Sequence, residues 1–153
     1  MKKDTKRLDS IKAANQSINR KTHIRREDYL EIISELVGLK GYATTLDISR
    51  HMNVSPPSVT KMLQKLDKDG YLEYEKYHGI NLTSKGNQVA EVIRQKHSTL
   101  LEIFEILGIK KDIANQDVEG MEHYLNPKTI KRLRKFLVFL KSNPKIIDEF
   151  NEF

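Results

Sequence analysis

The chain has 153 residues, 38% of them hydrophobic and 31% charged, with few Gly and Pro and no cysteine. That composition describes a globular protein of one compact domain or two small ones. It excludes a disulfide framework and a thiolate metal site, and no apolar run approaches the roughly 18–20 residues that span a bilayer. The formal charge of +6 lies wholly in residues 1–27, where nine Lys or Arg meet three Asp or Glu; residues 28–153 hold eighteen of each sign.

The N-terminal stretch MKKDTKRLDSIKAANQSINRK has no continuous apolar segment, so no secretory signal is expected and a cytoplasmic location is. Residues 1–22 form a basic extension. It is read either as a solvated, partly frayed tail or as an arm that adds sequence-independent attraction to phosphates.

From Asp28 to Leu39 the apolar residues Leu30, Ile33, Leu36 and Val37 recur at the helical period, and Gly38 and Gly41 close the segment. A short helix follows from about Thr45, its expected N-cap, with Leu46, Ile48 and Met52 inward. Ser55 is expected to cap a third helix. Pro56 and Pro57 occupy its first turn, where a missing N–H does no harm. Val59, Met62, Leu63 and Leu66 form its apolar face, and Gly70 stops it. The alternation in YLEYEKY predicts a half-exposed strand, joined through His78–Gly79 to a second strand, INLT. Thr83 then caps a long helix ending at Gly108. Further helices are expected over about Lys110–Leu125, Pro127–Lys141 and from Pro144 onward, with Asn126–Pro127 and Asn143–Pro144 as their start signals.

The class is therefore mainly α. Helix, helix–turn–helix and a two-stranded hairpin is the order of a winged helix-turn-helix, assigned to residues 23–83; residues 84–153 are all helical. In such a fold the third helix enters the major groove. Away from its apolar face it offers Ser58, Thr60, Lys61, Gln64 and Lys65, with Ser55 and Pro57 at its N-terminal end. Hydroxyls and Lys suit phosphates, Gln and Lys suit base edges, and the free N–H groups of the first turn attract phosphate. Lys76 is the basic contribution of the wing, beside the acidic Glu73 and Glu75. The alternative is a solvated helix face in a protein-binding module.

Possible hard metal ligands also gather on helix faces. Asp28 and Glu31 are spaced i, i+3; Glu119, Glu122 and His123 are spaced i, i+3, i+4; His97 sits midway along the long helix. Four carboxylates and two imidazoles without sulfur suit Mn²⁺ or another divalent ion of high coordination number. Each piece has an ordinary explanation. Asp28 and Glu31 could complement a helix dipole, His97 could be a satisfied histidine, and the acidic cluster could be a solvated face. Spacing leaves those alternatives open. His23, His51 and His78 lack such company.

The stretches SPPSVTKMLQKLDKDGYLEYEKYHGINLTSKG and DVEGMEHYL closely resemble the manganese transport regulators, the manganese-sensing branch of the diphtheria toxin repressor family. The likeness runs from about Arg26 to Leu140 with hardly a gap. In that family the ligands come from the first helix, the long linking helix and the helix after it. Matched residue by residue, they fall on Asp28, Glu31, His97, Glu119, Glu122 and His123. The resemblance implies two adjacent Mn²⁺ ions per subunit with bridging carboxylates, other divalent metals being able to substitute. It also implies a homodimer formed through the second half, for which Ile130, Leu133, Phe136, Leu137 and Leu140 supply a wide apolar face.

The iron-sensing branch carries softer Met and Cys ligands where this chain has Asp28 and Glu119, and carboxylate in place of sulfur shifts preference toward Mn²⁺. Zn²⁺ and Cu²⁺ stand above Mn²⁺ in intrinsic affinity, so selectivity has to come from geometry and nuclearity. The iron branch often adds a C-terminal SH3-like domain, for which no room is expected here. The basic extension before Thr22 and a short C-terminal tail depart from the manganese pattern.

The expected function is a manganese-activated repressor of metal-uptake genes that binds operator DNA, with no membrane association, no small organic substrate and no enzymatic activity. The alternatives are an iron- or zinc-responsive regulator of the same family and a winged helix that binds DNA without metal. A two-metal hydrolase would need an open coordination position in a substrate-sized cleft, for which the sequence offers no sign.

Overall fold

The computed structural model describes residues 18–75 and 79–153, with side chains from Arg25 onward in the first helix. Lys76, His78 and the side chain of His23 lie outside the described residues, as do residues 1–17 of the basic extension. The elements are α1 (Ile18–Lys40), α2 (Thr45–Met52), α3 (Pro56–Lys68), β1 (Leu72–Glu75), β2 (Gly79–Leu82), α4 (Ser84–Ile106), α5 (Lys111–Met121), α6 (Pro127–Ser142) and α7 (Pro144–Glu152). The strands pair antiparallel, Leu72 opposite Leu82 and Tyr74 opposite Ile80. This is the helical architecture with a two-stranded wing expected from the sequence. No described helix is long and apolar enough to cross a membrane.

Two compact units divide between Val89 and Ala90. In the first, Leu30 and Ile33 of α1, Ile48 of α2, Val59, Leu63 and Leu66 of α3 and Leu72 of β1 share one core and are almost fully excluded from solvent. Each such side chain contributes about 1.5–3 kcal/mol relative to exposure. The second unit has a smaller core of Leu100, Val118 and Ile130, against which Phe104, Met121, Leu125 and Leu133 pack.

Several boundaries differ from the sequence reading, each for a local reason. α1 begins at Ile18, twelve residues before Leu30, the first residue of the apolar stripe, and so includes the end of the basic extension. No Gly or Pro precedes Gly38, so nothing upstream breaks the helix even though its first turns carry no apolar signal. The N-cap of α2 is Thr44 rather than Thr45. Its Oγ1 accepts from Asp47 N at 3.1 Å while the Asp47 carboxylate accepts from Thr44 N at 3.2 Å, a reciprocal capping box. That frame turns Leu46 outward, 51% exposed, and leaves Ile48 as the buried residue. Ser55 does stand at the N-cap of α3, yet its side chain makes no cap bond; its Oγ lies 2.9 Å from Ser58 Oγ.

α5 ends at Met121, short of the expected Leu125. Asn126 adopts an extended backbone because Pro127 follows it, and its Oδ1 caps α6 by accepting from Lys128 N at 2.9 Å. On α6, Ile130, Leu137 and Leu140 are buried and Leu133 packs on the core. Phe136, by contrast, is 48% exposed beside exposed Val138 and Phe139. Of that expected face, then, Phe136 is the residue left largely at the surface, while the other four are taken up by the chain's own packing.

Thr44→Ala removes one half of the capping box and is expected to cost about 1 kcal/mol. Thermal denaturation should show a Tm lowered by a few degrees; an unchanged Tm would mean that Asp47 alone holds the α2 terminus.

Candidate metal centre

Ala114 and Val118 mark the inward face of α5, and both are fully buried. The next position on that stripe is Glu122. It is the C-cap of α5, still helical at φ −60, ψ −35, with its N–H bonded to Val118 O at 2.9 Å. A carboxylate thus stands where the packing pattern calls for an apolar side chain, and it is 0% exposed.

The groups around it are few and specific. Glu122 Oε2 lies 2.9 Å from Nδ1 of His97, which projects from α4. The same His97 nitrogen is 3.4 Å from Oε1 of the exposed Glu119. His123 Nε2 approaches Glu122 Oε1 to 3.4 Å, yet that oxygen has no hydrogen-bond partner among the described residues. Ligand atoms of His97, Glu119 and Glu122 all fall within 4.8 Å of one another. Burial raises the Glu122 pKa, and the nearby Glu119 charge raises it further; His97 and His123 oppose both effects less strongly.

This arrangement fits a divalent cation. A buried carboxylate with an orphaned oxygen is costly unless something neutralises it, and among the described residues the groups beside it include two imidazoles and a second carboxylate. The donor set is oxygen and nitrogen throughout, hard to borderline, as a Mn²⁺-type ion prefers. His97, Glu119, Glu122 and His123 are thus brought together as the sequence suggested, although Glu122 and His123 lie just past the helix that was expected to carry them. Asp28 and Glu31 lie one turn apart on α1 in the first unit, half-buried and flanking Tyr29 and Leu30.

The nucleic-acid face of the first unit is α3. Ser55, Pro57, Ser58, Lys61, Gln64 and Lys65 are all exposed, opposite buried Val59, Leu63 and Leu66. Thr60 differs, because its hydroxyl donates to Pro56 O at 3.1 Å and is turned onto its own helix. Both prolines sit in the first turn and carry no N–H. The next two N–H groups, of Ser58 and Val59, already donate to Ser55 O at 2.9 and 3.1 Å, so the free N–H groups expected there for phosphate are not presented. Sequence reading missed two features of this unit. One is the pair of cations on the Tyr71 ring, since aromatic–cation contacts between distant segments leave no periodic signal; the other is the tight seat of Gly86.

Residues 21–80 match the family model described as iron dependent repressor, N-terminal DNA binding domain. Residues 83–151 match that described as iron dependent repressor, metal binding and dimerisation domain. An HTH-type transcriptional regulator MntR from Lysinibacillus sphaericus (strain C3-41) is 43% identical over 121 residues, covering 79% of this chain and 87% of the relative. The crystal structure of T. acidophilum IdeR is similar with a TM-score of 0.63 and 34% identity, over 71% of this chain and 52% of that one. The structure of the manganese regulator SloR gives a TM-score of 0.63 and 31% identity, over 74% of this chain and 54% of that one. The chain spans about half the length of those two solved chains.

Because the folded chain holds the Glu122 proton more tightly than the unfolded chain does, metal-free stability should fall as pH rises above the ordinary Glu value. Glu122→Gln removes that dependence. It is expected to raise the metal-free Tm at pH 7 by a few degrees, about 1 kcal/mol, with the advantage over the parent shrinking toward pH 4. Thermal melts in chelator across that range test this; a lower Tm for Glu122→Gln at pH 7 would mean that the ionised carboxylate is already well compensated.

Proposed function

The chain belongs to the iron-dependent repressor family, which takes its other name from the diphtheria toxin repressor, and from that premise we propose that it is a manganese-activated, homodimeric repressor of metal-uptake genes. The family consists of metal-dependent, DNA-binding regulators of transcription, not of enzymes. The observation that carries the manganese reading is the buried, partly orphaned Glu122 carboxylate in a donor set of oxygen and nitrogen alone. The similarity to regulators named for manganese supports it.

In this reading Asp28 and Glu31 join His97, Glu119, Glu122 and His123 as ligands of two Mn²⁺ ions in each subunit, with Fe²⁺ or Zn²⁺ able to substitute. A bound metal supplies the positive charge that four carboxylates and two imidazoles lack. Without it the carboxylates repel one another and Glu122 is driven toward its protonated form. Asp28 and Glu31 are covalently part of α1, and Leu30 and Ile33 of that helix pack in the same core as Val59 and Leu63 of the recognition helix α3. Fixing α1 therefore fixes α3.

Two recognition helices in a dimer must match the half-site spacing of an operator, so restricting their freedom raises DNA affinity. The exposed Phe136, Val138 and Phe139 on α6 are suited to burial in the dimer. On α3, Lys61 and Gln64 are the base-reading side chains, with Ser55, Pro57, Ser58, Thr60 and Lys65 along the backbone and Lys76 on the wing. Residues 1–22 add attraction to phosphate. A regulator of genes works beside the chromosome, in the cytoplasm.

The test is operator binding against free Mn²⁺, Fe²⁺ and Zn²⁺, with chelator as control. Mn²⁺ should raise affinity at least tenfold, and affinity indifferent to chelator would overturn the metal-sensing reading; activation by Fe²⁺ alone would replace manganese by iron. Lys61→Ala or Gln64→Ala should weaken operator binding by about 1–3 kcal/mol while leaving Mn²⁺ uptake unchanged in a calorimetric titration.

A further inference from the structure

Tyr71 lies at the base of the wing, directly before β1, and three segments of the first unit meet on it. The Arg26 guanidinium of α1 lies 4.8 Å from the ring centroid, and Lys85 Nζ at the start of α4 lies 4.1 Å from it, both within range of a cation–π attraction. Lys85 also donates to Asp69 O at 2.8 Å. The backbone of Tyr71 is held as closely as its ring. Thr83 N donates to Tyr71 O at 3.1 Å, and Thr83 Oγ1 donates to Gly70 O at 2.7 Å while accepting from Gly86 N at 3.2 Å. A Cβ placed on Gly86 would fall 1.9 Å from Tyr71 O, a distance that backbone cannot yield by small adjustments. Among the glycines of the described residues, the others have nothing within 4 Å of such an atom.

The ends of these contacts fall beside residues with other work. Arg26 stands two positions before Asp28 on α1. Lys85 and Gly86 open the helix that carries His97. Tyr71 precedes the strand that begins the wing. We propose that Tyr71, Arg26, Lys85 and Gly86 are positioning residues for metal-dependent DNA binding: a joint that makes α1, the start of α4 and the wing move as one body, so that ligands on α1 and α4 set the posture of the DNA-binding face. The inference rests on the metal-activated reading above and adds to it the residues through which the metal acts. None of the four is a ligand in that reading, and none lies on the recognition helix.

The experiment uses the full chain and a DNA duplex selected by the parent protein from a random pool in the presence of Mn²⁺. Three quantities are measured for Tyr71→Leu, Lys85→Met and Arg26→Met: Mn²⁺ affinity without DNA, DNA affinity in chelator, and the factor by which Mn²⁺ raises DNA affinity. The joint predicts that the first two stay within about threefold of the parent while the third falls at least tenfold, because coupling between two sites is a quantity separate from either affinity. Tyr71→Phe keeps the aromatic face and is expected to retain the parental factor.

Should Tyr71→Leu fail to fold, the two cation variants decide the matter, since each removes one side-chain charge from over the ring and leaves the apolar core residues unchanged. A lowered Tm with an unchanged Mn²⁺ factor in those variants would make the joint merely structural and overturn the proposal. So would a loss of Mn²⁺ affinity in step with the factor, which would place the residues in the metal site itself. A parent protein whose DNA affinity ignores Mn²⁺ would instead refute the metal-activated reading, and the two failures are distinguishable.

Discussion

A carboxylate buried with no Lys or Arg paired to it among the described residues is the constraint on which the second unit turns. Glu122 occupies the third place in a stripe begun by Ala114 and Val118, a place that Leu would fill at less cost. Its oxygens meet imidazoles and a second carboxylate, and one of them has no hydrogen bond among the described residues. Such a group is costly to the metal-free chain, and in the proposed reading that cost is what lets a bound cation change the protein's behaviour. A site already satisfied by Lys or Arg would gain nothing from metal.

The first unit supplies the complementary property, stiffness. α1, α2, α3 and β1 share one core, and the capping box at Thr44 and Asp47 fixes the entry to the helix–turn–helix. A ligand that restrains α1 therefore acts on a body rather than on a loose helix. The contacts converging on Tyr71 extend the same stiffness to the start of α4. In the proposed reading, a stiff DNA-binding unit restrained by metal is what lets ligand binding select between two states.

Much of this was legible in the sequence because it follows from local rules. Leu30, Ile33, Val59, Leu63 and Leu66 announce buried faces by their spacing, and Asn126–Pro127 announces a helix start. What was not legible depends on geometry between distant segments or on competition at helix ends. Thr44 and Thr45 are chemically alike, and Asp47 decides between them by lying three residues after the first. Glu119 and Glu122 look equivalent in DVEGMEHYL, yet one is exposed and the other wholly buried, because Glu122 alone continues the stripe of Val118. The upstream turns of α1 carry no apolar pattern at all, so periodicity could not find them.

The central claim is that Glu122 and its neighbours hold the activating metal. Crystals of the protein grown with Mn²⁺, with diffraction recorded on both sides of the manganese absorption edge, test it most directly. Anomalous peaks are expected within coordination distance of Glu122 Oε1 and of a His97 or His123 ring nitrogen, joined in the proposed reading by Asp28 and Glu31. Manganese peaks confined to other carboxylates, or a Glu122 that keeps its contacts to His97 and His123 with no metal beside it, would contradict the account.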